Sequence, residues 1–189
     1  VVALLAAGLV LASCGIPTSQ QADVVPARDV PFHLLSPVVP STTTTTSPES
    51  TTVPEPIYLV KGADSLTGVV RQVVTPDTLG AVLDALLVGP TPAETAAGLS
   101  SSLPASLRVI STSLEGGTET ILLNRAFIAI SGPDQVLAVA QLVLTATRQP
   151  GVDSILFAVA GSIVPVPTAS GASTTAPVTA SDYASLLSF

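Results

Sequence analysis

The chain has 189 residues, 13 acidic and six basic side chains, and a formal net charge of −7, which argues against nucleic acid or an anionic membrane surface as a direct partner. Aromatic residues make up 3% and tryptophan is absent, so any core must be built from many small aliphatic contacts. With one cysteine, Cys14, no internal disulfide is possible.

Residues 1–13 are uncharged, free of proline and rich in Val, Leu and Ala. That is the length of a signal-peptide apolar region and short of the roughly 20 residues a membrane-spanning helix needs. The basic stretch expected ahead of it is missing and the chain has no methionine, so either the leader starts upstream of Val1, the favoured expectation, or Val1 marks an alternative start. The run closes on Leu11-Ala12-Ser13-Cys14, small residues before a cysteine, the pattern of a bacterial lipobox. Cleavage is expected between Ser13 and Cys14, with the Cys14 sulfur acylated, palmitate being one candidate chain. The competing readings are a buried apolar strand or helix with a core cysteine, and an ordinary secretory signal. Against the first, the run leads straight into a polar, proline-rich stretch that offers nothing to pack on. More than one acyl chain on Cys14 would give a stable anchor, which places the protein on the extracytoplasmic face of the cell membrane.

Residues 14–56 read as a tether. Eight of the 17 prolines fall between positions 15 and 56, and positions 42–46 are an unbroken threonine block. Such a segment buries too little apolar surface to fold, and would span roughly 35–40 Å as a flexible coil. Inside it lies one apolar cluster, Val30-Pro31-Phe32-His33-Leu34-Leu35. It is either a sticky piece of linker or a docking segment in which Val30, Phe32, Leu34 and Leu35 make the contact. His33, the only histidine, is expected to be solvated.

From Ile57 the pattern becomes that of a folded domain, expected over residues 57–167. Ile57-Tyr58-Leu59-Val60 and residues 66–74 form a strand pair around a turn at 62–65. Thr75-Pro76-Asp77 would open a helix, with Thr at the cap and Pro at the first helical position. Its apolar stripe is Leu79, Val82, Leu83, Leu86 and Leu87, and Gly89-Pro90 stops it. Thr91-Pro92-Ala93-Glu94 is a capping box for a second helical turn reaching Leu99. Residues 107–115 and 118–124 flank Gly116-Gly117 as a β-hairpin. A long, largely buried helix follows from about Ser131 to Arg148, then an apolar strand at 154–160 expected in the middle of a sheet. Residues 168–189 read as a Ser/Thr/Ala-rich tail. The order β-β-α-β-β-α-β implies an α+β domain, an antiparallel or mixed sheet with two main helices on one face.

The domain lacks both His and Cys, which excludes Ser/His/Asp and Cys/His nucleophilic arrangements within it. A zinc site would need carboxylates alone, so no metal or cofactor is expected. Of the nine acids after position 56, Asp77 and Asp134 suit helix N-termini and Glu94 belongs to the capping box. Glu115 and Glu119, flanking the hairpin turn, are expected to be solvated. Lys61, Arg71, Arg108 and Arg125 are expected surface cations, or else a row along one sheet edge that binds a partner or a glycan. Gly116-Gly117 is too short to cradle phosphate.

Taken in order, these segments resemble the GerMN domain of sporulation and spore-germination proteins. The resemblance rests on Ile57-Tyr58-Leu59-Val60, Leu87-Val88-Gly89-Pro90-Thr91, the Gly116-Gly117 hairpin, Gln141-Leu142-Val143-Leu144-Thr145, Gln149-Pro150-Gly151-Val152 and Gly161, over residues 57–165. Cys14-Gly15-Ile16-Pro17 and Val30-Pro31-Phe32 resemble the actinobacterial lipoproteins that carry this domain behind a tether. Ala160 departs from the pattern, standing where an acidic or polar residue is expected before Gly161. The resemblance implies a non-enzymatic module that self-associates or binds an envelope protein, with no catalytic residues to transfer. A module for a wall polymer or small ligand is the alternative.

Overall fold

The computed structural model describes residues 51–76 and 78–188. The leader, Ser13, Cys14, the Val30, Phe32, Leu34 and Leu35 cluster, and Asp77 lie outside the described residues.

Strands β1 (Thr52–Lys61) and β2 (Ser65–Val74) pair antiparallel over their full length, from Thr52 opposite Val74 to Lys61 opposite Ser65. The first strand thus starts at Thr52, five residues inside the stretch read as tether. Its prolines misled that reading. The Tyr58 N–H points away from β2, and Pro54 and Pro56 share its orientation, so the donors they lack would not have entered the β1–β2 ladder.

Helix α1 (Leu79–Leu87) is capped by Thr78, whose Oγ1 accepts the Ala81 N–H at 3.3 Å. Thr75 and Pro76, joined by a cis peptide, precede the helix instead of opening it, and the Thr75 N–H extends the hairpin to the Thr51 carbonyl. The expected stripe is inward, with Val82, Leu83 and Leu86 fully buried. Helix α2 (Pro92–Ala96) has the complete capping box, but ends before Leu99. Gly98, at φ +81°, turns the chain into β3 (Leu99–Ser100), which pairs with the end of β1.

Strands β4 (Val109–Glu115) and β5 (Thr118–Leu123) are joined by Gly116 and Gly117 at φ +56° and +81°, the two positive values a type I′ hairpin turn requires. A Cβ on Gly117 would lie 2.5 Å from Asp153 Oδ2, so a side chain here would have to displace that carboxylate as well as adopt a strained positive φ. A short 3-10 turn, η1 (Phe127–Ala129), leads to α3 (Pro133–Ala146). Strand β6 (Ser154–Val159) returns parallel to β5, and β7 (Ser162–Ile163) pairs beside it. Strands β8 (Val166–Pro167) and β9 (Ser173–Thr174) and a 3-10 helix, η2 (Ala180–Leu186), complete the chain.

The α+β class holds, and the strands divide among three sheets: β2-β1-β3, β4-β5-β6-β7 and β8-β9. As expected, β6 is interior to its sheet. Helix α3 is the hub: every residue from Leu137 to Ala146 is buried, as an element packed on all sides must be. Phe127 and Phe157 stack with centroids 5.2 Å apart, two of the few aromatic anchors in an aliphatic core.

Residues read as a tail are built into the domain. Val178 exchanges both backbone hydrogen bonds with Ile155, and the Ser188 N–H donates to the Leu66 carbonyl at 2.9 Å. Tyr183 is fully buried, with its hydroxyl donating to the Pro167 carbonyl at 2.8 Å. Burial first, then Asp182, pushes its phenol well above the usual range. One aromatic ring therefore fixes a segment whose composition reads as linker.

Candidate functional site

Among the described residues no group of three or more His, Cys, Asp or Glu side chains comes together, and no helix is long and apolar enough to cross a membrane. The cations do not form a row. Arg71 is clamped by Glu94 with both nitrogen–oxygen contacts at 2.6 Å, and also donates to the Gly89 carbonyl. Arg108 folds back to donate to the carbonyls of Ala105 and Leu107. Lys61 and Arg125 are exposed at separate places, the end of β1 and the loop after β5.

The carboxylates divide by environment. Glu94 accepts from Arg71 and also from the Thr91 N–H at 2.7 Å, and the Arg71 hydrogen bond chiefly holds its carboxyl down at about 2. Glu119 corrects the expectation of a solvated turn acid, being only 4% exposed. It alternates along β5 with buried Ile121 and Leu123, facing inward beside Leu79, Thr112 and Val152. Burial pushes its carboxyl up, opposed by hydrogen bonds from Thr112 and Ser113. The inward parity of position 119 was legible in the alternation of residues 118–123, but its charge masked it. Glu115 is exposed as expected.

Two surfaces remain as candidates. The first is β4 and the sheet it edges. Glu115 and Thr118 close the two-residue turn, so Glu115 and Ser113 bond to β5 while the backbone groups of Thr112 and Leu114 face outward. No strand pairs on that side among the described residues. Ile110 is 59% and Leu114 50% exposed, and a bulge at Ile110 ends the regular register. By strand alternation, the sheet face opposite the core carries Ser113, Thr120, Leu122, Leu156 and Ala158, with the Glu115 carboxylate at its turn end.

The second surface is an open cleft of about 570 Å³ beyond the end of β1. Ser101, Ser102, Ser106 and Ser131 line it with Asp134, over an apolar wall that includes Leu103 and Ile130. Asp134 is the expected acid in the first turn of α3. Ser102 donates its N–H to Gln141 Oε1 at 2.9 Å, which ties the cleft wall to the core helix.

What these features define is a small α+β domain with open β structure at one edge and a serine-lined cleft at one end. The chain belongs to the Germane family, described as sporulation and spore germination, whose model matches residues 38–164, well over half of its length. This bears out the GerMN resemblance. Among solved structures it is similar to the tandem GerMN domains of the sporulation protein GerM from Bacillus subtilis, at 24% identity and a TM-score of 0.50. That match covers 64% of this chain and 43% of the other, so the chain spans less than half of the tandem structure. A protein from Clostridium perfringens assigned as a lipoprotein matches at 17% identity and a TM-score of 0.47, covering 71% of this chain and 92% of that one. Among curated proteins none matches the sequence.

Proposed function

We propose that the protein is a lipid-anchored, extracytoplasmic lipoprotein whose GerMN-type domain is a non-catalytic interaction and assembly module of the cell envelope. The observation that carries the module reading is the open edge at β4, free of Lys, Arg and Pro and carrying exposed Ile110 and Leu114. Unpaired strand backbone beside apolar side chains is a template for another chain. The anchor reading rests on Leu11-Ala12-Ser13-Cys14. Two measurements test the pair. A palmitate label should enter the protein in cells and vanish in Cys14→Ala. A photo-crosslinker at Ser113 should give defined protein adducts in intact envelopes, and a clean monomer band there would overturn the module reading.

The serine-lined cleft favours a second reading, a binding module for a wall polymer or a small hydroxyl-rich ligand. Titrating soluble wall fragments against the labelled domain should then shift the amide signals of Ser101, Ser102 and Ser131. Unmoved signals at millimolar fragment would remove it.

A further inference from the structure

We infer that β4 is the site where a second copy of this chain adds, antiparallel, about a two-fold axis at Ser113; this rests on the assembly reading above and names its surface. The register leaves Thr112 and Leu114 with outward N–H and carbonyl groups, two donors and two acceptors on one short edge. Placed antiparallel about Ser113, Thr112 of one copy meets Leu114 of the other, and four hydrogen bonds close without remainder. Ser111 then faces Glu115, so no two acids oppose each other. The bulge at Ile110 ends the pairing on one side and the Gly116-Gly117 turn on the other, confining it to residues 111–115. Helix α1 and its cap lie along the core side of this strand, Thr78, Gly80 and Asp84 beside residues 109–112 and Leu79 beside Thr112 and Leu114, so the partner strand must enter from the outer side.

Between its bulge and its turn, the edge also lacks the side chains that prevent such pairing. Val109-Ile110-Ser111-Thr112-Ser113-Leu114-Glu115 has no Lys, Arg or Pro, and its only charge is at the terminal position. The other long edge is guarded. On β2 the Leu66 carbonyl is taken by Ser188, and Arg71 straps Glu94 and the Gly89 carbonyl of the neighbouring segment beside the strand. Pairing through β4 would join two four-stranded sheets into one of eight, with the faces that carry Ser113 continuous.

The geometry gives a register-specific test. Residues opposed at a non-hydrogen-bonded antiparallel position have Cα atoms about 4.5 Å apart, within disulfide reach. The mature chain, residues 14–189 with Cys14→Ser, should therefore crosslink as a dimer under mild oxidation when it carries Ser113→Cys. It should not do so with Ser111→Cys, which faces Glu115. Thr112→Pro removes one outward donor without touching the β4–β5 ladder, and should weaken association about tenfold or more in a light-scattering concentration series. Circular dichroism checks that this variant folds, and if it does not, the Ser113→Cys result decides. If the unmutated chain associates but Thr112→Pro changes nothing and Ser113→Cys stays monomeric, the β4 axis is overturned while assembly stands. Should Val70→Pro on β2 then abolish association, that strand is the edge used. If the chain is monomeric at every concentration and Ser113→Cys does not crosslink, self-assembly fails with it, leaving a heterologous partner.

Discussion

In the first sheet β1 has no strand beside most of its second edge, yet the outward groups of Tyr58 are satisfied. The Tyr58 N–H donates to Thr145 Oγ1 at 3.1 Å, and the Tyr58 carbonyl accepts from Gln141 Nε2 at 3.0 Å, so two polar side chains one turn apart on α3 stand in for a strand. In the second sheet, the equivalent groups of Thr112 and Leu114 on β4 meet no strand among the described residues. The same fold closes one edge with fully buried polar side chains and leaves the other to solvent. Buried amides are costly unless every bond is made, so their placement marks β1 as interior structure. The outward backbone of β4 has no such side-chain closure among the described residues.

The largest effect should come from breaking the closed edge. Gln141→Leu removes the partner of both the Tyr58 carbonyl and the Ser102 N–H in a fully buried position. Two backbone groups left unpaired should cost about 3 kcal/mol in chemical denaturation. Thr145→Val, which orphans only the Tyr58 N–H, should cost about half of that. A loss under about 0.5 kcal/mol for Gln141→Leu would mean that water replaces the helix easily, and the contrast between the sheets would collapse.

A second test sets one carboxylate of each region against the other. Glu94, bound to Arg71 of β2, has a depressed carboxyl, so its contribution is fully present above the unfolded value of 4.5 and is lost as pH falls towards about 2. The pair keeps 16% and 17% side-chain exposure, and solvent screening reduces its worth to about 1–2 kcal/mol. Glu94→Gln should lower stability by that amount at pH 7 and flatten the acid limb of the stability curve. Glu119 of β5 has the opposite sign. Its carboxyl is raised, so the fold is favoured below the ordinary carboxyl range and loses stability as pH climbs through the raised value. Glu119→Gln should therefore be neutral or stabilising at pH 7, by about 1 kcal/mol at most, and neutral near pH 4. Equal losses for both variants at pH 7 would show that Glu119, too, is a paired structural acid.

Most of the helices and hairpins were readable from caps, periodicity and glycine pairs. Thr91 to Glu94 and Gly116-Gly117 behave as their local chemistry dictates, because those signals are complete within four residues. What escaped was set by distant partners. Pro54 and Pro56 look like linker until β2 is in place beside them, and Tyr183 looks like tail until Pro167 offers it a carbonyl. Thr78, not Thr75, caps α1 because the hairpin claims Thr75 first. The open β4 edge was equally invisible: a hairpin can be read locally, but whether another strand covers its outer side depends on the whole topology.

The smallest effect probes the far end of the second sheet, where the family pattern and this chain part. The β6–β7 turn places Ala160 at φ +52° and Gly161 at φ +81°, the same pair of positive angles that Gly116 and Gly117 supply between β4 and β5. Alanine is the one non-glycine residue at positive φ among the described residues, and its Cβ crowds the following carbonyl there. Asn or Asp tolerates this region through local hydrogen bonding, which gives a conformational reason for the polar residue expected before Gly161 and needs no charged site. Ala160→Asn should raise stability by roughly 0.5–1 kcal/mol, and Ala160→Gly by less, since glycine also frees the unfolded chain. Neither should alter association, because β7 lies at the opposite end of the sheet from β4. A gain in stability with unchanged association would separate the turn that only holds the sheet from the edge that extends it; a change in association would place part of the interface on β7 as well.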